Sequence, residues 1–205
     1  MGFSLPIFEL PLVLLPGEQI PLHIFEDRYR RMIETCLTND DPFGVVLRDA
    51  DGARSIGCSA VVSEVLERFE DGRLNVVATG AEPFRVLDRF DDPEHPSAEV
   101  ELIEEDESTA TREETETAIT AFADLAERAS GERPDEAALA GARAYDIAGR
   151  IELPADTKQE LLAMRDEGER MRLLIGVLEA LGEALDQSED VAERARSNGK
   201  IRIGN

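Results

Sequence analysis

The sequence predicts an α+β protein: a β-rich lobe over residues 1–107, a helical lobe over 108–187 and a polar tail over 188–205, expected to be flexible. Three observations carry this. Short apolar runs broken by turn pairs fill the chain up to residue 103. The acidic run Glu104–Glu107 marks a change of composition. Beyond it, apolar residues recur at three- and four-residue spacing, the period of a helix with one buried face.

The opening, Leu5 to Leu22, carries prolines at 6, 11, 16 and 21. Proline lacks an N–H and fixes φ, so this stretch cannot be a helix and is disfavoured as a central strand. Short extended pieces joined by bends are expected, with Pro16-Gly17 suited to a type II turn. One helix follows: Phe25, Tyr29, Met32, Ile33, Cys36 and Leu37 share a face, Arg28, Arg30, Arg31 and Glu34 take the wet side, and Asn39–Pro42 ends it. Phe43–Leu47 is an unbroken apolar run, read as a buried strand, and Asp51-Gly52 is a turn. Ile56–Phe69 and Arg73–Thr79 flank Asp71-Gly72, a strong hairpin pair. Phe84–Phe90 is a further strand, and Ala98–Leu102 alternates apolar with acidic residues as a half-buried strand does. Several short strands separated by turns suggest a small barrel or sandwich.

In the second lobe, Thr111 followed by Glu114 forms a capping box, with Ala118, Phe122, Leu125 and Ala129 as the buried stripe and Ser130-Gly131 as the stop. Pro134 suits the first turn of a next helix whose faces carry Ala137, Gly141, Ala144 and Ala148, with Leu139 and Ile147 nearby. Pro154 breaks it, and Asp156 with Gln159 can cap a short helix through Leu161 and Leu162. Met171, Leu174, Ile175, Leu178, Leu181 and Leu185 then hold one face of a last helix.

Composition narrows the function. With 22 basic and 45 acidic residues the formal net charge is −23. A polyanion binder needs a segregated basic face, and the arginines here are scattered among acids, so nucleic acid and anionic membrane surfaces are not expected partners. No run reaches the roughly 18 apolar residues of a membrane span, and the N-terminus lacks a secretion signal, so a cytoplasmic location is expected. Lys158 and Lys200 are the only lysines, and Ile201 follows Gly199-Lys200, so there is no phosphate-cradling Gly-Lys-Ser/Thr loop. His23 and His95 have no companion at metal-ligand spacing, and Cys36 and Cys58 read as buried thiols without a partner base. Asp49–Gly52 lacks the remaining ligands of a calcium loop. With no nucleophile elbow and no His-Glu-x-x-His helix, the residues point to binding rather than catalysis, with no cofactor or metal.

Several motifs occur in a family-like order: Phe8–Gly17, then Ile20–Arg30, then Ile56–Ala60, then Asp71-Gly72-Arg73 with Thr79-Gly80 and Phe84-Arg85-Val86, then Ala148, Leu153, Lys158–Leu162 and Arg170–Leu173. Over residues 10–187 this resembles the substrate-binding domain at the N-terminus of Lon-type ATP-dependent proteases. Pro83 and Asp27 (where the family commonly has proline) depart from the pattern. The resemblance implies a PUA-like β-barrel with one inserted helix, followed by a C-terminal helical bundle. It also implies a stand-alone, non-catalytic module for unfolded or exposed hydrophobic polypeptide, without ATPase or peptidase activity. The expected surface is an apolar groove where barrel meets helices. Leu12, Leu14, Leu15, Pro16 and Ile20 are its candidate lip, unless the leucines fill the barrel instead. An alternative is an adaptor that docks one protein partner through the last helix and the tail from Ser188.

Overall fold

The computed structural model describes residues 2–91 and 95–198, with main chain alone at 91, 189–190 and 192–198. The barrel lobe contains β1 (Phe3–Leu10), β2 (Gln19–Ile24), α1 (Asp27–Asn39), β3 (Phe43–Asp49), β4 (Gly52–Arg68), β5 (Leu74–Asp91) and β6 (Pro96–Leu102). The sheet order is β2-β5-β4-β3-β1-β6, and a further pairing of β5 with β6 brings the sheet round on itself. Closure is uneven, because β2 pairs with β5 alone.

β1 lies inside the sheet despite Pro6, contrary to the expectation from the prolines. The reason is a change of partner. Phe3–Pro6 pair antiparallel with β6, and Ile7–Leu10 pair parallel with β3. Pro6 sits at the changeover, where a missing N–H costs least. Pro83 is placed in the same way. The two strands expected at Arg73–Thr79 and Phe84–Phe90 are one strand, β5, bent through Gly80–Pro83 beside a register shift opposite Cys58 and Ala60. Bulges of this kind turn a sheet through the corner of a barrel. The continuous apolar run Phe43–Leu47 buries both faces of β3: Val46 joins Leu5, Ile7, Phe84, Ala98 and Val100, while Val45 and Leu47 face the main core. The hairpin turns at Gly72, whose φ of +85° suits glycine.

The helical lobe holds α2 (Arg112–Ser130), a 3₁₀ turn at Glu136–Leu139, α3 (Ala144–Ala148), α4 (Ala155–Ala163) and α5 (Glu167–Asn198). The capping box forms: Glu114 N–H donates to Thr111 Oγ1 at 3.2 Å, and Thr111 N–H donates to the Glu114 carboxylate at 2.7 Å. The buried stripe of α2 is Ala118, Ile119, Phe122 and Ala123, with Ala129 exposed. The single helix expected from Pro134 is instead the 3₁₀ turn and α3, separated by Gly141 at φ +78°. α5 continues to Asn198, past the expected boundary at 188. Residues 188–198 contain neither proline nor glycine and include Ala, Glu and Arg, so propagation costs little. Residues 199–205 of the expected tail lie outside the described residues.

α2 and α5 run parallel. Arg172 meets Glu114 at 2.8 Å near their starts, and Arg128 meets Asp186 at 2.7 Å near the end of α2. One continuous core joins the lobes, from Phe8, Leu15, Met32 and Val76 to Phe122, Ile147, Leu162 and Leu174. Polar ties add to it: Lys158 pairs with Glu18, and Gln159 Nε2 donates to the Ile56 carbonyl at 3.0 Å.

Candidate functional site

The expected lip divides. Leu14 and Leu15 are buried in the core, while Leu12, Pro16 and Ile20 keep partial exposure. Gly80 explains why Leu15 faces inward. Gly17 N–H donates to the Gly80 carbonyl, and Gly80 N–H donates to the Glu18 carbonyl, both at 2.9 Å. This clamps the opening segment against the bend in β5. A Cβ on Gly80 would stand 2.1 Å from the Leu15 carbonyl oxygen, so only glycine permits the approach. Beside this clamp, Gly17–Gln19 and the segment Ala138–Arg150 border a hollow of about 550 Å³ where the lobes meet. Its largest apolar walls, Leu139 and Tyr145, are themselves buried.

A more apolar opening lies between β1 and β2. The groove, about 520 Å³, is bordered by Phe8–Pro11 on one side and Pro21–Phe25 on the other, with Tyr29 of α1 between them. Each wall is a sheet edge. β2 pairs with nothing beyond β5, and Ile7–Leu10 pair only with β3. Tyr29 stacks on Phe8 with ring centroids 4.1 Å apart, and its hydroxyl meets the main chain of Glu9. Burial raises the phenol above its ordinary range, so it stays protonated.

Phe25 stands over the groove with 61% of its surface exposed. Sequence reasoning placed it in the buried stripe of α1. The helix starts two residues later, at Asp27, so the residue is free of that face. His23 stacks beside it at 5.9 Å, and Phe69 meets His23 edge-on at 6.0 Å. The charges at the groove are paired. Glu9 accepts from Arg48 at 2.6 Å and Arg89 at 3.0 Å, and Glu26 accepts from Arg28 at 3.1 Å. The Arg28 guanidinium lies 4.5 Å over the Tyr29 ring. The opening is therefore aromatic, bordered by two strand edges of which the β1 edge is met at Glu9 by Tyr29, and close to neutral.

A second recess, about 820 Å³, lies in the helical lobe between the 105–110 connection, α2 and residues 140–143. Behind it Arg170 is fully buried. Its Nε donates to the Leu161 carbonyl at 3.2 Å, its guanidinium lies 4.1 Å over the Tyr145 ring, and Glu167 and Glu105 balance its charge. Ala144 N–H donates to Glu167 at 2.7 Å. These bonds hold the connection, α3 and the α4–α5 turn together.

Among the described residues, no group of three or more His, Cys, Asp and Glu is placed to hold a metal ion. Burial pushes the thiols of Cys36 and Cys58 up to about 11 and about 12, away from nucleophilic thiolate. His95 contacts Ser97 at 3.1 Å. No described helix is long and apolar enough to cross a membrane.

Comparison with known proteins agrees with this architecture. The chain is 26% identical over 212 residues to the Lon protease of Paraburkholderia phytofirmans and 24% identical over 210 residues to that of Escherichia coli. It covers 26–27% of those proteins, so it spans about a quarter of their length, while they match 93–94% of this chain. Among solved structures, a Lon N-terminal domain protein from Xanthomonas campestris superposes with a TM-score of 0.68 at 25% identity, covering 85% of this chain and 98% of that one. The N-terminal domain of a Mycobacterium avium complex Lon protease shares the fold, with a TM-score of 0.63 at 21% identity over 86% of this chain and 98% of the other. The sequence model of the ATP-dependent protease La (LON) substrate-binding domain matches residues 4–180, and the chain belongs to that family.

Proposed function

We propose that this protein is a non-catalytic polypeptide-binding module that takes an extended, apolar segment into the groove between β1 and β2. The observation that carries this is an aromatic groove walled by two strand edges that no further strand covers and overhung by the exposed ring of Phe25. An extended chain has alternating side chains for such a groove and main-chain groups for a free edge. Aromatic anchors supply large contact area with little rotamer entropy to lose. The paired charges leave nothing to repel a neutral segment. Leu12 and Ile20 adjoin the groove residues Pro11 and Pro21 in the chain and are half-buried, while Leu14 and Leu15 belong to the core.

The test is fluorescence anisotropy with a labelled, reduced and carboxamidomethylated polypeptide that cannot fold. Phe25→Ser is expected to weaken binding about tenfold, close to 1.4 kcal/mol, with the far-ultraviolet circular dichroism unchanged. Unchanged affinity in that variant would refute the groove. A second reading, docking of one protein partner, draws support from α5 beyond Ser188, where Val191 is 64% exposed. A single stoichiometric partner on co-purification favours it; a heterogeneous set of clients favours the groove.

A further inference from the structure

We propose that the recess of the helical lobe is a second polypeptide site, shaped for a partner segment in which lysine or arginine alternates with apolar residues. It does not depend on the groove at β1 and β2. Its floor is apolar, made by Ile119 with Ala110 and Ala142. Its rim carries Glu105, Asp106, Glu107 and Glu116; Asp106 pairs with Arg165 at 2.8 Å, Glu105 with Arg143 and Arg170, and Glu116 with Arg112. Arg143 is drawn to Glu105 and Glu167, and the Arg112 side chain extends into water, 91% exposed, alongside Glu116. Among the described residues Glu107 makes no ion pair.

The start of a helix ordinarily favours an anion, and α2 begins at this recess. Here that preference is already met. Thr111 and Glu114 satisfy one another's main-chain donors, and the first turn carries Glu113 and Glu114. What remains is an apolar floor beside one unpaired carboxylate, Glu107. A lysine or arginine side chain matches both, since its methylene stem lies on apolar surface while its charged head reaches Glu107. The net charge of −23 adds long-range attraction for such a segment and repulsion for an acidic one.

The probe is a fluorescein-labelled nonapeptide of alternating leucine and lysine, titrated into the full chain. Leucine–glutamate and serine–lysine nonapeptides serve as comparisons. The leucine–lysine peptide is expected to bind about tenfold more tightly than either, and Glu107→Lys with Glu116→Lys to weaken it about tenfold. Glu64→Lys with Glu101→Lys makes the same change of net charge on exposed positions of β4 and β6 and is expected to leave affinity within about twofold. Thr115→Trp, which fills the recess, is expected to weaken binding whatever the salt. Phe25→Ser is expected to leave it unchanged, which separates this site from the groove. Equal binding of the serine–lysine peptide, or equal loss from the two charge-reversal pairs, would show bulk attraction alone and overturn the proposal. So would retained binding in Glu107→Lys with Glu116→Lys.

Discussion

The two lobes solve the same problem by different physics. In the barrel, strand register and a dry interior do the work: Leu5, Ile7, Val46, Phe84, Ala98 and Val100 form a purely apolar cluster, and charged groups stay near the surface in pairs. In the helical lobe, α3 has five residues and α4 has nine, too short to persist without tertiary support. There a buried guanidinium ties the pieces together through carbonyls, carboxylates and an aromatic face. A sheet distributes its order over many main-chain hydrogen bonds. Short helices with small side chains concentrate theirs in a few directional ones, and are vulnerable at one residue.

Breaking each lobe at its centre gives the largest effects. Phe84→Ala opens a cavity in the barrel cluster and is expected to cost about 4 kcal/mol in urea unfolding. Arg170→Ala leaves the buried Glu167 carboxylate with only Arg143, at 3.4 Å, to balance it and is expected to cost about 3 kcal/mol. Replacing both partners, as in Arg170→Met with Glu167→Leu, should cost less than Arg170→Ala alone. Should the double variant prove worse, packing rather than charge organises this lobe. Gly80→Ala forces the Leu15 carbonyl away from the β5 bend and is expected to cost about 2 kcal/mol, with faster amide exchange at residues 14–18. Thr111→Ala removes the cap of α2 and is expected to cost about 1 kcal/mol, read most clearly as faster exchange in its first turn.

The last effect is alkaline. Burial raises the thiol pKa of Cys36 and Cys58 in the folded chain, so the unfolded chain ionises first as pH rises. Their contribution is complete below about 9 and is lost as pH climbs toward 11 and 12. Unfolding midpoints should fall over that window, and Cys36→Ala with Cys58→Ala should flatten the decline.

Local signals were legible wherever a residue's role was decided by its near neighbours. Asp71-Gly72 forms its turn, Thr111 with Glu114 forms its box, and the stripe from Met171 to Leu178 is buried. Roles set by distant chain were not. Pro6 is tolerated inside the sheet because β3 and β6 meet β1 on either side of it, which periodicity does not encode. Phe25 fits a helical stripe by spacing, and only the actual start of α1 releases it to solvent. The candidate lip was half readable for the same reason. Prolines mark a preformed segment, but Leu14 and Leu15 turn inward because Gly80, more than sixty residues away, draws the chain down. The carboxylate rim of the helical lobe lay in plain view as Glu104–Glu107, yet only folding gives it an apolar floor.

The partner change within β1 bears on how the chain is made. β1 is synthesised before its partners, and it hydrogen-bonds to residues 44–47 with one half and to residues 97–100 with the other. Its native neighbours are therefore complete only once β6 has been synthesised. Until then an apolar segment waits unpaired, and contacts so remote in sequence are slow to close. Nascent barrels should consequently need shielding during translation, and ribosome-bound fragments ending before β6 should remain open to protease while slightly longer ones resist it.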